Sequence, residues 1–131
     1  MRIHHVRVSC PPGDEDRGRH FYVDGLGFSE IAKPAELAAR GGARFRHEGG
    51  AEIHLGIEEP APGRKAHPAL EVGTATELER LGAHLEATGY EVDWSQRHNA
   101  GSFERFHTHD PFGNRVEVVH MVSSSPDFTV R

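Results

Sequence analysis

Histidine is the residue type that could carry chemistry in this chain of 131 residues. There are 11 histidines, compared with two methionines and two tyrosines. Imidazole ligates divalent metals and exchanges protons near neutral pH. His54 and His67 each lie in an alternating apolar run, and a Pro/Gly-rich break, EEPAPGR, separates the two runs. This allocation points to metal binding or acid–base chemistry on neighbouring strands.

The alternation places four candidate side chains on the polar face of predicted strands. Successive strand residues point to opposite faces, so each candidate has apolar neighbours on the other face. Ile53, Leu55 and Ile57 oppose His54, for example, and Val116 and Val118 oppose Glu117. Three imidazoles and one carboxylate suit a borderline divalent ion such as Zn²⁺, Ni²⁺, Co²⁺, Mn²⁺ or Fe²⁺. The four candidates are His5, His54, His67 and Glu117.

The elements that position these residues follow a repeated order of strand, helix and three strands. Alternation predicts strands at 3–10, 28–33, 43–48, 51–57, 67–72, 90–94, 102–109 and 115–121. A helix is predicted from Asp14 or Asp16 to about Asp24, a helical turn or loop over 34–40, and an amphipathic helix from Thr74 or Thr76 to Gly89.

A count of landmarks supports an internal repeat. His5 and His67 are 62 residues apart, as are Gly27 and Gly89, and His54 and Glu117 are 63 apart. A shared offset with a single insertion indicates two copies of one unit. We predict a single domain, 1–122, of two modules at about 1–58 and 66–122, joined by a linker at 58–65 and followed by a flexible tail at 123–131.

Composition excludes several classes of function. The net charge is −5 and no Lys/Arg block appears, which argues against nucleic-acid binding. No apolar run reaches the ~18 residues of a membrane span, and the N-terminus lacks the apolar core of a signal peptide. Cys10 is the single cysteine, so no internal disulfide forms. We expect a cytoplasmic protein that does not bind a membrane.

The chain resembles the vicinal oxygen chelate superfamily, which includes glyoxalase I, fosfomycin-resistance transferases, bleomycin-binding proteins and extradiol dioxygenases. The matching motifs are HHV, FYVDGLGF, EIHLG, AHPALEV and DPFGNRVEVV, which span Ile3 to Val119. The resemblance implies an α+β fold of two βαβββ modules whose curved mixed sheets form a cup. It also implies a homodimer, with metal ligands at the positions of His5, His54, His67 and Glu117.

The resemblance does not select one activity. Glyoxalase I-like members usually carry Glu where this chain has His54, and fosfomycin transferases carry a hydroxyl residue where it has Arg7. Extradiol dioxygenases use two His and one Glu, which His5, His67 and Glu117 match. In that case His54 would serve as an acid–base or substrate-contacting residue.

We therefore expect a metal-dependent enzyme of glyoxalase type, either a lyase or isomerase or a dioxygenase. The metal would act as a Lewis acid on a small oxygen-chelating substrate, with Glu117 and His54 as catalytic residues. Arg7 shares the polar face of His5. It would bind an anionic substrate or pair with Glu52 or Glu71.

The alternative hypothesis is a metal-free protein that sequesters a small molecule or antibiotic in the cup, as bleomycin-binding relatives do. It predicts an aromatic-lined cup, for which the main aromatics assigned to the cup face are Phe45 and Phe106. For three further histidines we predict only a structural role or a surface position. We predict His4 to be buried and hydrogen-bonded, and His107 and His109 to lie at the surface or rim.

Overall fold

The computed structural model describes residues 1–122, and its first sheet comes from the N-terminal half. The strands are β1 (Val6–Cys10), β2 (Ser29–Ile31), β3 (Ala43–Arg46) and β4 (Glu52–Ile57), in the order β1-β4-β3-β2. β1 and β4 are parallel, whereas β3 is antiparallel to both of its neighbours. Helix α1 (Glu15–Arg19) continues as a π-helical segment (His20–Gly25), and α2 (Ala35–Ala38) is a single turn.

The second sheet repeats this plan with one strand fewer. Its strands are β5 (Ala69–Glu71), β6 (Phe103–His109) and β7 (Arg115–Met121), in the order β5-β7-β6, and α3 (Ala75–Ala87) follows β5. β5 and β7 are parallel, like β1 and β4. The strand predicted at 90–94 is reduced to an isolated bridge between Asp93 and His107. The expected α+β fold of two βαβββ modules is confirmed, except that segment 90–94 of the second module forms only this bridge.

The ends of α3 follow from local chemistry. Thr74 Oγ1 accepts a hydrogen bond from the Glu77 backbone N–H at 3.0 Å, and Glu77 Oε2 accepts one from the Gly73 N–H at 2.8 Å. This reciprocal cap satisfies donors that the first turn leaves open. After the helix, Gly89 has φ +101°, a left-handed conformation that glycine adopts without steric cost.

The core lies between the apolar faces of the two sheets and the helices. Ile53 and Val118 are 1% and 0% exposed, and Phe21 and Leu85 of the helical segments are fully buried. Phe45 and Phe106 also lie in this core, since they pair in register with Ile53 and Val118. Their assignment to the cup face was wrong. The polar faces of both sheets are left free of these large aromatics.

Polar contacts join the two modules near the turn after β6. Tyr22 Oη donates a hydrogen bond to Asp110 Oδ2 at 2.7 Å, and Asn114 Nδ2 donates to the Ser9 carbonyl at 2.8 Å. Asp110 Oδ1 accepts from the Asn114 N–H at 2.9 Å, so one carboxylate shapes the turn and anchors the first module. Among residues 1–122, no helix is long and apolar enough to cross a membrane. The predicted tail, 123–131, lies outside the described residues.

Candidate metal centre

Three side chains of the second module converge on its polar face. Glu117 Oε1 lies 2.9 Å from His67 Nε2 and 3.3 Å from His107 Nε2. The Glu117 and His107 side chains are buried, and that of His67 is 23% exposed. One donor atom from each residue lies within 4.8 Å of the others. We call His67, His107 and Glu117 the second-module cluster.

Strand pairing brings this cluster together. β6 and β7 are antiparallel with His107 opposite Glu117, so their side chains share one face. The Glu117 N–H donates to the Pro68 carbonyl at 3.1 Å, which holds the chain just before β5 against β7. His67 lies in that segment, ahead of β5 rather than within it. Only Glu117 of the predicted ligands in this module lies within a strand.

The hydrogen bond at His67 Nδ1 determines whether Nε2, the nitrogen next to Glu117, carries a proton. His67 Nδ1 lies within hydrogen-bonding distance of the Lys65 carbonyl, which can only accept, so Nδ1 carries a proton. If the His67 imidazole is neutral, Nε2 has no proton and its lone pair points at Glu117 Oε1. Two such acceptors at 2.9 Å repel each other unless a proton or a metal cation lies between them. A backbone carbonyl that orients an imidazole in this way is typical of metal-ligating histidines.

The protonation states of Glu117 and His107 favour cation binding. Burial alone would raise the pKa of the Glu117 carboxyl, but hydrogen bonding to His67 and the Arg105 charge lower it overall. Arg105 Nη1 lies 3.4 Å from Glu117 Oε2. Burial lowers the pKa of His107, so its imidazole is held neutral near pH 7. An ionised carboxylate beside a neutral imidazole is the state in which both residues ligate a metal.

The first module holds the other two predicted ligands as a stacked pair. The His5 and His54 rings are 3.9 Å apart between centroids and 11° from parallel. His54 Nε2 lies 2.7 Å from Glu52 Oε2, and Glu52 also accepts hydrogen bonds from Arg46. Burial lowers the pKa of His54, although the Glu52 hydrogen bond opposes this effect. With Nε2 engaged by Glu52, Nδ1 is the nitrogen that His54 has free for a ligand.

His4 does not follow its prediction. Its side chain is 68% exposed, because β1 begins at Val6 and residues 4 and 5 precede the strand. His4 Nδ1 lies 2.9 Å from His5 Nδ1 and 3.7 Å from Glu52 Oε2. His4, His5 and Glu52 therefore form a second possible cation-binding group. The expected burial of His4 was wrong.

The structure brings the four predicted ligands together in pairs. His5 contacts His54, and His67 contacts Glu117, in line with the internal repeat. Within residues 1–122, neither group of three or more closely spaced donors combines residues of both modules. A centre that uses all four ligands would need the two modules to approach from different chains or to close within one chain.

Arg7 lies on the polar face, as predicted, but with a different partner. Its Nη1 contacts Glu58 Oε2 at 3.0 Å, and neither Glu52 nor Glu71 pairs with it. The guanidinium crosses β4 at Gly56, where an added Cβ would lie 2.1 Å from Arg7 Nε. The absence of a side chain at Gly56 therefore gives Arg7 its path across the sheet.

Two functional candidates were missed by sequence reasoning. His107 is 3% exposed, so its placement at the surface or rim was wrong, whereas His109 is exposed as expected. A signal was available, since His107 and Glu117 are equidistant from Phe112 at the centre of the predicted turn and must face each other in a hairpin. The second missed candidate is Glu52. It is two residues from His54, so strand alternation alone predicts that the two side chains share the polar face.

Comparisons with known proteins identify the family. The model of the Glyoxalase/Bleomycin resistance protein/Dioxygenase superfamily matches residues 2–118. This chain belongs to that superfamily. A Bacillus anthracis protein assigned to the glyoxalase family is 38% identical, with a TM-score of 0.81 over 92% of this chain and 95% of that chain.

More distant solved structures share the fold. A glyoxalase/dioxygenase from Nostoc punctiforme is 22% identical, with a TM-score of 0.73 over 97% of this chain and 92% of its own. A point mutant of the fosfomycin resistance protein FosX from Listeria monocytogenes is 13% identical, with a TM-score of 0.71 over 95% and 92%. That mutant was solved in complex with Mn(II) and 1S,2S-dihydroxypropylphosphonic acid. No curated protein matches the chain at a significant level.

Proposed function

We propose that this protein is a divalent-metal-dependent enzyme acting on a small oxygen-chelating substrate. The observation that carries the proposal is the second-module cluster, in which two imidazole nitrogens face one oxygen of a buried carboxylate. Membership of the superfamily supports it, as does the Mn(II) bound by the Listeria fold neighbour. The ion would come from the set Zn, Ni, Co, Mn and Fe, which combined imidazole and carboxylate donors accept.

The donor spacing fits a shared ion. Ligand atoms bonded at roughly 2.1 Å around one metal lie about 3 Å apart from one another. The separations of 2.9 and 3.3 Å from Glu117 Oε1 are of this size. His67, Glu117 and the buried His107 would hold the ion, and His5 and His54 would complete the set from a first module. When bound, the metal would supply Lewis acidity toward the substrate oxygens.

The side chains around the cluster have distinct roles in this proposal. The Lys65 carbonyl fixes the tautomer of His67, and Arg105 holds the second oxygen of Glu117. Glu52 accepts from His54 Nε2, so His54 could move a proton at its other nitrogen, Nδ1, if it does not ligate the ion. Glu117 and His54 therefore remain the proposed catalytic residues. A lyase, isomerase or dioxygenase reaction is consistent with this arrangement.

A metal-free sequestering protein is less well supported. Such a protein needs an apolar cup, but Phe45 and Phe106 are buried in the core. The polar face that opposes them carries histidine, arginine and glutamate instead. A His/His/Glu group with two buried members also has no purpose in a purely apolar site, where unpaired polar groups cost binding energy.

Metal binding to the chelator-stripped protein tests the proposal. We expect reconstitution with Mn²⁺, Co²⁺ or Zn²⁺ to approach one ion per chain, measured by plasma emission spectrometry after desalting. His67→Ala and His107→Ala should each weaken affinity by about tenfold or more, since each removes a ligand. His109→Ala is the matched control, because it removes an exposed imidazole two residues from His107 on the same strand face.

Two results would contradict the proposal. One is a wild-type protein that stays far below one ion per chain with every metal. The other is equal loss of metal in the His107→Ala and His109→Ala proteins, which would indicate nonspecific binding to surface histidines.

A further inference from the structure

A basic pocket lies against the polar face of the first sheet. Its volume is about 360 Å³, and the segment that includes α2 borders it. Aspartate and glutamate are both missing from its lining within residues 1–122, although the whole chain carries a net charge of −5. The charged and titratable residues that line it are Arg7, Lys33, Arg40, Arg44, His5 and His54.

Strand register concentrates these charges in one row. β4 is flanked by β1 and β3, and His54 is opposite Arg7 on one side and Arg44 on the other. Neighbouring strands are about 4.8 Å apart, so the Arg7 and Arg44 positions lie on either side of His54, two strand spacings from each other. The two guanidinium groups therefore face the same side of the sheet, next to His5 and His54.

The compensation is incomplete within the described chain. Arg7 has Glu58 at 3.0 Å, and Lys33 Nζ donates to the Gly41 carbonyl. His54 has Glu52 at 2.7 Å. Arg44 is half-buried, and among residues 1–122 no carboxylate forms an ion pair with it. Its guanidinium therefore has donors free beside the two first-module histidines.

We propose that this basic pocket binds an oxyanion group, carboxylate or phosphoryl, of a small anionic substrate, with Arg44 as its principal contact. A planar guanidinium matches both oxyanions with paired hydrogen bonds, and Arg40 and Lys33 add positive charge at the rim. The inference deepens the proposed function, because His5 and His54 line the pocket and would place the anion beside the metal. It assigns the charge of the substrate, which the family leaves open.

A small molecule fits the pocket better than a polyanion does. The cations surround one cavity, whereas binding of a nucleic acid requires a basic stripe along the surface. The pocket volume lies within the range of small-molecule sites.

Anion binding to the metal-free protein tests the inference separately from the metal. Isothermal titration calorimetry with inorganic phosphate and, in a second arm, with acetate should show saturable binding that weakens as salt is added. Arg44→Gln should weaken the affinity about tenfold or more, since a charged hydrogen-bond donor is lost. Arg44→Lys should restore part of it. Arg80→Gln, on the exposed side of α3, makes the same change in net charge and should have no effect.

Each outcome decides the question. Phosphate binding that depends on Arg44 assigns a phosphoryl group, and dependence confined to acetate assigns a carboxylate. Equal affinity in the wild-type and Arg44→Gln proteins, or no binding of either anion, overturns the inference. Should Arg44→Gln fail to fold, Arg40→Gln on the exposed rim provides the comparison with Arg80→Gln. Metal uptake without anion binding would overturn the anion pocket alone, whereas anion binding without metal uptake would overturn the metal centre alone.

Discussion

Glu117 is the residue on which the candidate centre depends. One oxygen faces His67 and His107, and the other lies near Arg105, so a single buried carboxylate organises three cationic or metal-ligating groups. Burying a carboxylate is costly unless it is paired, and these contacts supply the pairing. The pKa of Glu117 is lowered as a result, which keeps it ionised and available as a ligand.

The pKa of Cys10, which lies away from the cluster, is raised rather than lowered. The thiol is 0% exposed, and burial, with the nearby charges of Glu15, Asp14 and Asp110, raises its pKa from 9.0 to about 11. The folded state therefore disfavours the thiolate. We expect native protein at pH 8 to react with iodoacetamide about a hundredfold or more slowly than urea-unfolded protein, measured by mass spectrometry.

The same shift has a consequence for stability. A thiol with a raised folded pKa contributes stability that is full below pH 9 and is lost as pH rises toward 11, because only the unfolded chain ionises readily. Denaturant unfolding of the wild type and of Cys10→Ala across this range should show a steeper loss for the wild type. Rapid labelling of the folded protein at pH 8 would show that Cys10 is accessible and that this account is wrong.

Short segments at the ends of strands position the site. His5 precedes β1 and His67 precedes β5, so these two proposed ligands extend from strand ends, whereas His54 and Glu117 are held inside β4 and β7. Parallel pairing of β1 with β4 brings His5 to His54, and that of β5 with β7 brings His67 to Glu117. The chain from β1 to β4 includes α1 and the chain from β5 to β7 includes α3, since parallel strands need a crossover connection.

The hydrogen bond from the Glu77 N–H to Thr74 stabilises the first turn of α3. Thr74→Ala removes the hydrogen bond to the Glu77 N–H and should lower the free energy of unfolding by about 1 kcal/mol, measured by urea titration. Thr76→Ala is the matched control, since Thr76 is exposed in the first turn and its hydroxyl makes no cap. Equal destabilisation by the two substitutions would contradict the assignment of Thr74 as the capping residue.

The whole molecule presents two half-sites related by its internal repeat. Within residues 1–122, His5 stacks on His54 in the first module, and His67 contacts Glu117 in the second. We propose that a homodimer joins the first module of one chain to the second module of its partner. A twofold dimer would then contain two equivalent complete sites.

Complementation tests this dimer. His5→Ala and His67→Ala proteins should each lose metal affinity, but co-refolding equal amounts should produce heterodimers with one intact site. Metal content should then recover to about a quarter of the wild-type value, because half of the dimers are mixed and one of their two sites is complete. Retention of metal by His5→Ala alone, or no recovery on mixing, would show that the site is not shared between chains.

The alternation of apolar residues, the positions of glycines and the repeat offset predicted much of this architecture from the sequence. Alternation placed Ile53, Leu55, Val116 and Val118 in the core and His54 and Glu117 on the polar face, because a strand has a period of two and only one face of each sheet packs on the apolar core. Gly27 and Gly89 ended their helices with φ of +82° and +101°. The offset of 62 to 63 residues between landmarks indicated the repeat without any coordinates.

Tertiary structure decided which side chains meet. The burial of His107 against Glu117, the pairing of Arg7 with Glu58 and the uncompensated charge of Arg44 depend on strand register and on the path of the linker after β4. The exposure of His4 depends on where β1 begins. Alternation assigns a residue to a face, but register, strand ends and neighbouring chain segments determine its contacts. The residue types therefore led from the sequence to the hypothesis of a metal site, whereas the cluster and the basic pocket could be identified only from the fold.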